Sequence, residues 1–216
     1  MPPPKSQTKS AGAASNSKTK SAPAASTSIE PRTHRLRLVA ATAERLKGYG
    51  ILVGTDVPEP RLAIPFYEGT VIEGNSLPFA CEGQAVVRTA RVHPRESEVR
   101  WLERHLSMTQ LFVGLGDTPF VMVLGKPTHD RGAAVPAVEE LTAFRMPPGH
   151  GVLLQRGTWH DFPMACGAPV TILTVSSAEV IEALASTRSP REMDRADVFK
   201  IDVRARLGVR VEVELS

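Results

Sequence analysis

Short apolar segments bounded by turn residues dominate the chain from His34 onwards. Eight of them are rich in Val, Ile, Phe and Thr: ILVGT, AIPFYEGTVIEG, PFACEGQAVVRTARV, TQLFVGLG, TPFVMVLGK, LTAFRM, GVLLQ and APVTILTVS. Such segments are typical of β-strands. The 18 prolines and 16 glycines leave few stretches for long helices. The pattern predicts a mainly all-β protein, an antiparallel β-barrel or jelly roll with a few short helices, rather than a parallel α/β sheet.

Four further stretches depart from this strand pattern or extend it. ATAERLKGYG predicts a short helix that stops at Gly48 and Gly50, since glycine favours helix ends. AEVIEALAST predicts one surface helix. At the C-terminus, IDVRARL and VRVEVEL both alternate between apolar and polar residues, which predicts strands, the second of them at a sheet edge.

The sequence divides into an Ala/Ser/Lys/Pro-rich stretch, residues 1–33, and a single patterned domain, residues 34–216. The first stretch has too few large apolar residues to offset its ordering entropy, so we expect a disordered tail. It also explains the net charge of +3, because residues 1–29 hold four lysines and no acid. In the rest of the chain, 22 basic residues are balanced by 23 acidic ones, so we expect no nucleic-acid partner.

The expected location is the cytoplasm, away from any membrane. No apolar run approaches the roughly 20 residues of a membrane-spanning helix. Cys81 and Cys166 lie far apart and form neither a disulfide framework nor a CxxC site, which favours a reducing compartment. The first residues also lack the apolar core of a secretory signal.

Two sets of spaced residues are the strongest functional signal. The first holds Glu103, His105, Gln110 and Gly116, and the second holds Gly149, Gln155, Gly157 and His160. Both resemble the two motifs of the cupin jelly roll. Residues two apart in a strand share a face, so Glu103 and His105 should point into the barrel. Gln110 would join from the next turn and His160 from a facing strand, forming a small-molecule site.

Plainer interpretations of the same residues stay open. Glu103, Arg104 and His105 would also suit a solvated helical face, and His160 alone would suit a hydrogen-bonded core histidine. Motifs for phosphate loops, dinucleotide folds, serine-hydrolase elbows and zinc proteases are absent from the sequence.

The stretch LERHLSMTQLFVGLG, followed by PFVMVLG and GVLLQRGTWHDFPM, resembles the ureidoglycolate lyase family, also labelled ureidoglycolate hydrolase. The resemblance covers roughly residues 36–178. Two departures stand out: Leu154-Gln155 replaces the Tyr-His of many bacterial members, and Asp161-Phe162 replaces their His-Pro. If these positions touch the substrate, the departures would permit a different substrate.

The resemblance implies a carbon–nitrogen lyase of the amidine-lyase class, which cleaves ureidoglycolate to glyoxylate and urea in allantoin (purine) degradation. Such an elimination needs a base, a proton for the departing nitrogen and a partner for the carboxylate. We expect His105 or His160 as the base, with Glu103 orienting it or acting as the acid. Gln110 would bind the urea or hydroxyl group, because an amide both donates and accepts hydrogen bonds. Arg91 or Arg156 would bind the carboxylate, because the guanidinium group matches its two oxygens.

Cofactor and partner expectations follow from the same resemblance. We favour a metal-free or weakly metal-assisted site. The alternative is a divalent metal (Mn, Ni or Fe) held by His105, His160, Glu103 and Gln110, although neutral Gln is a weaker ligand than Glu. The expected ligand is a small carboxylate, and fold analogy suggests a homodimer. Two alternatives are a related cupin enzyme acting on another small hydroxy- or amino-carboxylate, and a non-catalytic cupin that binds a small acid.

Overall fold

A computed structural model describes residues 32–57, 59–62 and 64–215, so the expected tail lies outside the described residues except for its last two positions. The described part contains two α-helices, α1 (Ala178–Ala185) and α2 (Val203–Leu207). Short 3-10 turns occupy Pro65–Tyr67 and Val138–Glu140. None of the described helices is long and apolar enough to cross a membrane. The described strands are β1 (Thr33–Ala40), β2 (Gly50–Val53), β3 (Ala85–Val92), β4 (Trp101–Arg104), β5 (Gln110–Leu115), β6 (Phe120–Gly125), β7 (Thr142–Met146), β8 (Gly151–Leu154), β9 (Trp159–His160), β10 (Met164–Ala165), β11 (Val170–Ser177), β12 (Met193–Arg195), β13 (Val198–Asp202) and β14 (Arg210–Glu214).

These strands form two sheets. The larger, nine-stranded sheet has the order β12-β13-β4-β9-β6-β7-β1-β14, with β10 also paired to β6. The smaller, five-stranded sheet has the order β2-β8-β5-β11-β3. Pairing is antiparallel except at β1, which runs parallel to both β7 and β14. The predicted mainly antiparallel, cupin-like β architecture is therefore confirmed, with β1 as the departure.

The larger sheet curls back on itself. The segment that leads into β4 pairs with β14, because Val99 N–H donates to the Val211 carbonyl (2.9 Å) and Val213 N–H to the Ser97 carbonyl (3.0 Å). Strand β14 is the terminal strand of the sheet, as its sequence predicts, and this segment covers part of its open edge. Covering an edge removes a template for unwanted strand pairing.

Both faces of the larger sheet carry an apolar core, and β6 is buried along its whole length. On one face, Phe120, Met122 and Leu124 pack against the smaller sheet. On the other, Val121 and Val123 pack inside the curl. The alternation of β-strand side chains therefore divides the interior into two cores.

The predicted helix AEVIEALAST is confirmed as α1, whereas three other local predictions are wrong. Residues 64–74 form a 3-10 turn and bends, because Pro65 begins a turn that Gly69 ends with a φ of +82°. The ATAERLKGYG stretch forms successive turns rather than a helix. IDVRARL ends strand β13 and then forms α2. Asp202 caps that helix by accepting from Ala205 N–H (3.2 Å), and Gly208 ends it at a φ of +68°.

Candidate active site

Three buried polar side chains meet on the face of the larger sheet that looks toward the smaller sheet. Glu103 on β4 lies directly opposite His160 on β9, and His105 follows two residues after Glu103. One carboxylate oxygen and one nitrogen from each imidazole lie within 4.8 Å of one another. The two imidazole ring centres are 5.4 Å apart. The predicted convergence of Glu103, His105 and His160 is therefore present in the structure.

Strand alternation explains why these side chains share a face. Leu102 on β4 and Trp159 on β9 both point into the core inside the curl. Their sequence neighbours Glu103 and His160 therefore project the opposite way. Trp159 is fully buried and its indole N–H donates to the Thr128 hydroxyl (3.0 Å), which anchors β9 in this orientation.

The smaller sheet contributes the other wall of the site. Gln110, the first residue of β5, is buried, and its side-chain oxygen has no hydrogen-bond partner among the described residues. The space between the two sheets at this point is too narrow for a water molecule. Its lining consists of His105, Met108, Gln110, Leu154, Gln155, Thr158 and His160.

The expected positions of two residues need correction. His160 comes from the strand beside Glu103 in the same sheet, not from a facing strand. Gln110 is the residue on the facing sheet, since β5 belongs to the five-stranded sheet. The physical reason is that strand order depends on pairing between distant segments, which the local spacing does not reveal.

Lys200 on β13 is the main partner of the Glu103 carboxylate. Its ammonium group lies 2.8 Å from a carboxylate oxygen of Glu103, and both side chains are largely buried. Burial by itself raises the pKa of Glu103, but Lys200, together with His160 and His105, outweighs it, so the pKa of this carboxyl lies below its ordinary value. Glu103 is therefore an anion at neutral pH.

His105 has a defined tautomer. Its Nδ1 lies 2.6 Å from the main-chain carbonyl oxygen of Asp197, which only accepts, so Nδ1 carries the proton. Nε2 then holds a lone pair, and it has no hydrogen-bond partner among the described residues. The carbonyl of His105 accepts from Gly157 N–H (2.6 Å), which ties it to the loop before β9.

His160 is a neutral imidazole. Burial lowers its pKa to about 3, although Glu103 opposes the shift. Neither ring nitrogen has a hydrogen-bond partner among the described residues. Phe112 packs edge-on against the ring, with centres 5.6 Å apart, and contributes to the apolar surroundings.

The structure does not bring the two candidate arginines into the cluster. Arg91 is exposed and donates to the Thr171 hydroxyl (2.9 Å) across β3 and β11. Ile172, next to Thr171, points into the core, so Arg91 and Thr171 lie on the outer face of the smaller sheet. Arg156 lies on the loop that lines the site, but its side chain reaches Glu82 at the surface (3.4 Å).

Two of the four residues that depart from the family pattern line the site. Leu154 is buried there, and Gln155 donates to the Gly48 carbonyl (2.8 Å). Asp161 instead pairs with Arg95 at 2.7 Å, and burial raises its pKa against the opposing effect of Arg95. Phe162 is partly exposed and contacts Phe112 edge-on.

Sequence reasoning missed Lys200 and Asp197. A lysine inside the apolar run Val198–Ile201 was a usable signal, since burial of Lys requires a partner. Asp197 gave no comparable signal, because its contacts with the His105 segment depend on its main-chain carbonyl and on the unusual φ of +59° at this turn.

The donor set at this site suits a divalent metal. Glu103, His105 and His160 offer one carboxylate oxygen and two imidazole nitrogens, and His105 Nε2 and both nitrogens of His160 are buried without a partner. Gln110 lines the same space through a neutral oxygen, a weaker ligand. Lys200 opposes a metal cation, because it already occupies one Glu103 oxygen.

A curled β-sheet that packs against a second sheet, with a buried Glu-His-His cluster on the face between them, is typical of a cupin-like protein. Residues 33–193 match the family described as ureidoglycolate lyase. The chain belongs to the ureidoglycolate lyase family.

Individual relatives extend this comparison. A ureidoglycolate lyase from Azotobacter vinelandii (strain DJ) is 36% identical over 83 residues, 38% of this chain and 47% of that protein. The matched part thus spans about half the length of that relative. A solved dTDP sugar isomerase from Desulfovibrio desulfuricans G20 aligns at 19% identity and a TM-score of 0.35, covering 58% of this chain and 75% of the other.

Proposed function

We propose that this protein is a ureidoglycolate lyase, a carbon–nitrogen lyase that cleaves ureidoglycolate to glyoxylate and urea in allantoin (purine) degradation. One observation supports this most directly: a chain of that family holds a buried imidazole nitrogen, His105 Nε2, free to accept a proton beside Glu103 and His160. The converging polar groups suit a small polar substrate, and the closely packed side chains around them would have to move apart to admit it.

The reaction requires no external reactant. The substrate carbon carries a hydroxyl, a urea nitrogen and a carboxylate. His105 Nε2 takes the hydroxyl proton, the oxygen forms a C=O bond, and the C–N bond breaks. The imidazolium then returns the proton to the departing urea nitrogen, so atoms and charges balance. A histidine positioned in this way accelerates proton transfer by roughly 10²–10⁴-fold.

The neighbouring groups have separate roles in this proposal. Glu103 stabilises the imidazolium of His105 by its charge, and its lowered pKa favours this orienting role over that of an acid. His160 stays neutral and hydrogen-bonds the substrate through its free ring nitrogens. Gln110 binds the urea or hydroxyl group from the opposite wall.

Arg156 is the better of the two candidates for the substrate carboxylate. Its loop lines the site through Gln155 and Thr158, and its side chain forms an exposed ion pair with Glu82. Rotation away from Glu82 would place a planar guanidinium near the opening of the site. Arg91 points away from the site, so we do not assign it this role.

A divalent metal is the alternative to a metal-free reaction. Mn²⁺, Ni²⁺ or Fe²⁺ would be held by Glu103, His105 and His160, with Gln110 as a weak fourth ligand. When bound, such an ion would polarise the substrate oxygens and supply positive charge. We favour the metal-free site, because Lys200 already compensates Glu103.

A glyoxylate-release assay tests the proposed function. Purified protein is mixed with racemic ureidoglycolate, with and without a chelator, beside a protein-free control for spontaneous decay. We expect half of the substrate to be consumed, one enantiomer only, and unchanged rates in chelator. His105→Ala should lower the rate of release about 100-fold or more, whereas the matched variant His93→Ala, at an exposed site, should not change it. No release above background would contradict the proposal, and loss of release in chelator would establish the metal.

A related cupin enzyme acting on another small hydroxy- or amino-carboxylate is the second candidate. Its support is confined to Leu154 and Gln155, which line the site and depart from the usual family residues, whereas the family match favours the lyase. Turnover measurements with a set of small carboxylates, compared with ureidoglycolate, distinguish such an enzyme from a ureidoglycolate lyase. A non-catalytic small-acid binder would bind such acids without turnover.

We further propose a homodimer in the cytoplasm. Segment 64–74 exposes apolar side chains, with Phe66 at 83%, Tyr67 at 55% and Ile72 at 53% exposure, and a second subunit would cover them. Light scattering should give twice the chain mass for the native protein and less for Phe66→Ser.

The proposed cytoplasmic location is supported by the two cysteines, which are both free thiols, as in a reducing compartment. Cell fractionation tests the location.

A further inference from the structure

The hairpin formed by β12 and β13 lies beside the site, although the family match ends at Met193. Strand β13 pairs with β4 so that Lys200 lies opposite Glu103, and Glu103 lies opposite His160 on β9. Polar residues therefore form a row across three adjacent strands: Lys200, Glu103, His160. The row begins in a part of the chain that the family match does not include.

The turn of the same hairpin forms hydrogen bonds with the segment that carries His105. The main-chain carbonyl of Asp197 accepts from His105 Nδ1 (2.6 Å). Its carboxylate accepts from the N–H groups of Leu106 (2.7 Å) and Ser107 (3.0 Å). Asp197 reaches both because the turn adopts positive φ, +50° at Ala196 and +59° at Asp197. These contacts determine which nitrogen of His105 faces the site.

We propose that this hairpin, Met193–Asp202, is a functional part of the active site, with Lys200 and Asp197 as positioning residues for Glu103 and His105. The proposal rests on the proposed function. Lys200 holds a buried carboxylate in place: its side chain is 22% exposed and that of Glu103 is 6% exposed. Without Lys200, Glu103 would be a buried, unpaired charge and would move toward other partners. The Asp197 carbonyl accepts from His105 Nδ1, so the other ring nitrogen, Nε2, faces the substrate with its lone pair.

Lys200→Met tests the first half of the proposal, because it keeps the length of the side chain and removes its charge. Lys200→Arg keeps the charge. The matched control is Arg100→Met, which removes another ion pair between the same two chain segments, from Arg100 Nε to Asp202 (2.9 Å), away from the site. We expect Lys200→Met to lower kcat about 10–100-fold, typical for partners that orient a site. KM should change little, Lys200→Arg should recover most of the loss, and Arg100→Met should keep the native kcat.

Two outcomes would overturn this half. The first is a kcat for Lys200→Met as high as that of Arg100→Met. The second is a low kcat in Lys200→Arg, when this variant has the same melting temperature as the native protein. That result would show that the charge of Lys200 is not what matters and that its role is packing alone.

A measurement that needs no substrate tests the second half. Long-range ¹H–¹⁵N spectra of the full chain at neutral pH report which imidazole nitrogen of His105 carries the proton. Asp197→Gly tolerates the positive φ but loses the carboxylate that holds the Leu106–Ser107 segment, and with it His105, beside the carbonyl of residue 197. We expect Nδ1–H in the native protein and a mixture with Nε2–H in this variant. Nε2–H in the native protein, or unchanged Nδ1–H in Asp197→Gly, would overturn this role. If the native protein releases no glyoxylate, the proposed function fails, and this spectrum still decides whether the hairpin orients His105.

Discussion

His160 should make the folded protein lose stability as the pH falls from 7 to 5. Its pKa is about 3 in the folded protein against an ordinary 6.5, which applies to the unfolded chain. The unfolded chain therefore takes up a proton near pH 6.5 that the folded protein does not accept until about pH 3. The stability that depends on neutral His160 is complete above pH 6.5 and is lost as the pH falls toward 3.

The size of the effect follows from the two pKa values. Each pH unit over which only the unfolded chain carries the His160 proton lowers the free energy of unfolding by about 1.4 kcal/mol. Between pH 7 and 5, most of this range lies below pH 6.5, so the free energy of unfolding should fall by about 2 kcal/mol. This pH range lies above the ordinary carboxyl pKa of 4.5, so Glu103, whose pKa is lowered, contributes little to the change. For a domain of this size the melting temperature should fall by about 4–8 °C.

Urea denaturation at pH 7 and pH 5, with a chelator present to keep metal ions from the site, measures this loss. His160→Gln keeps hydrogen-bonding capacity without a titrating group, so its loss of stability should be about 2 kcal/mol smaller than that of the native protein. His93→Gln, at an exposed position, should lose as much as the native protein. Should His160→Gln not fold, the His160 ring resonances of the native protein give the answer. Titration of that ring near pH 6.5, or an undiminished loss in His160→Gln, would refute the reasoning.

Three further predictions concern catalysis, the loop before β9 and the N-terminal residues. His105→Ala and His160→Ala should each lower turnover about 100-fold or more with unchanged circular dichroism; near-native rates would exclude that residue from the mechanism. Gly157→Ala should lower the free energy of unfolding in urea by about 1–2 kcal/mol, because Gly157 has a φ of +80° and a Cβ would lie 2.3 Å from the His129 ring; an unchanged midpoint would count against this strain. Deleting residues 1–30 should leave kcat and the melting temperature unchanged, since their composition cannot support a core, and a large loss in either would reveal a role for them.

Much of the site could be predicted because its signals are local. Glu103 and His105 are two residues apart, and strand alternation puts such a pair on one face whatever the strand order. His160 was recognisable from its spacing to Gly149 and Gly157. Local signals also mislead: the apolar content of residues 64–74 suggested a strand, yet Pro65 begins a turn there.

The β architecture and the identity of the three clustered residues can be predicted from the chain alone, because period-two patterns and turn residues act within a few positions. Three other features follow from the folded arrangement of the strands: Lys200 pairs with Glu103, the Asp197 carbonyl accepts from His105, and Arg91 faces away. Each of those outcomes depends on which strands become neighbours. The partners lie about 80 to 100 positions apart in the chain, and pairing over such separations is settled by burying both faces of the larger sheet together.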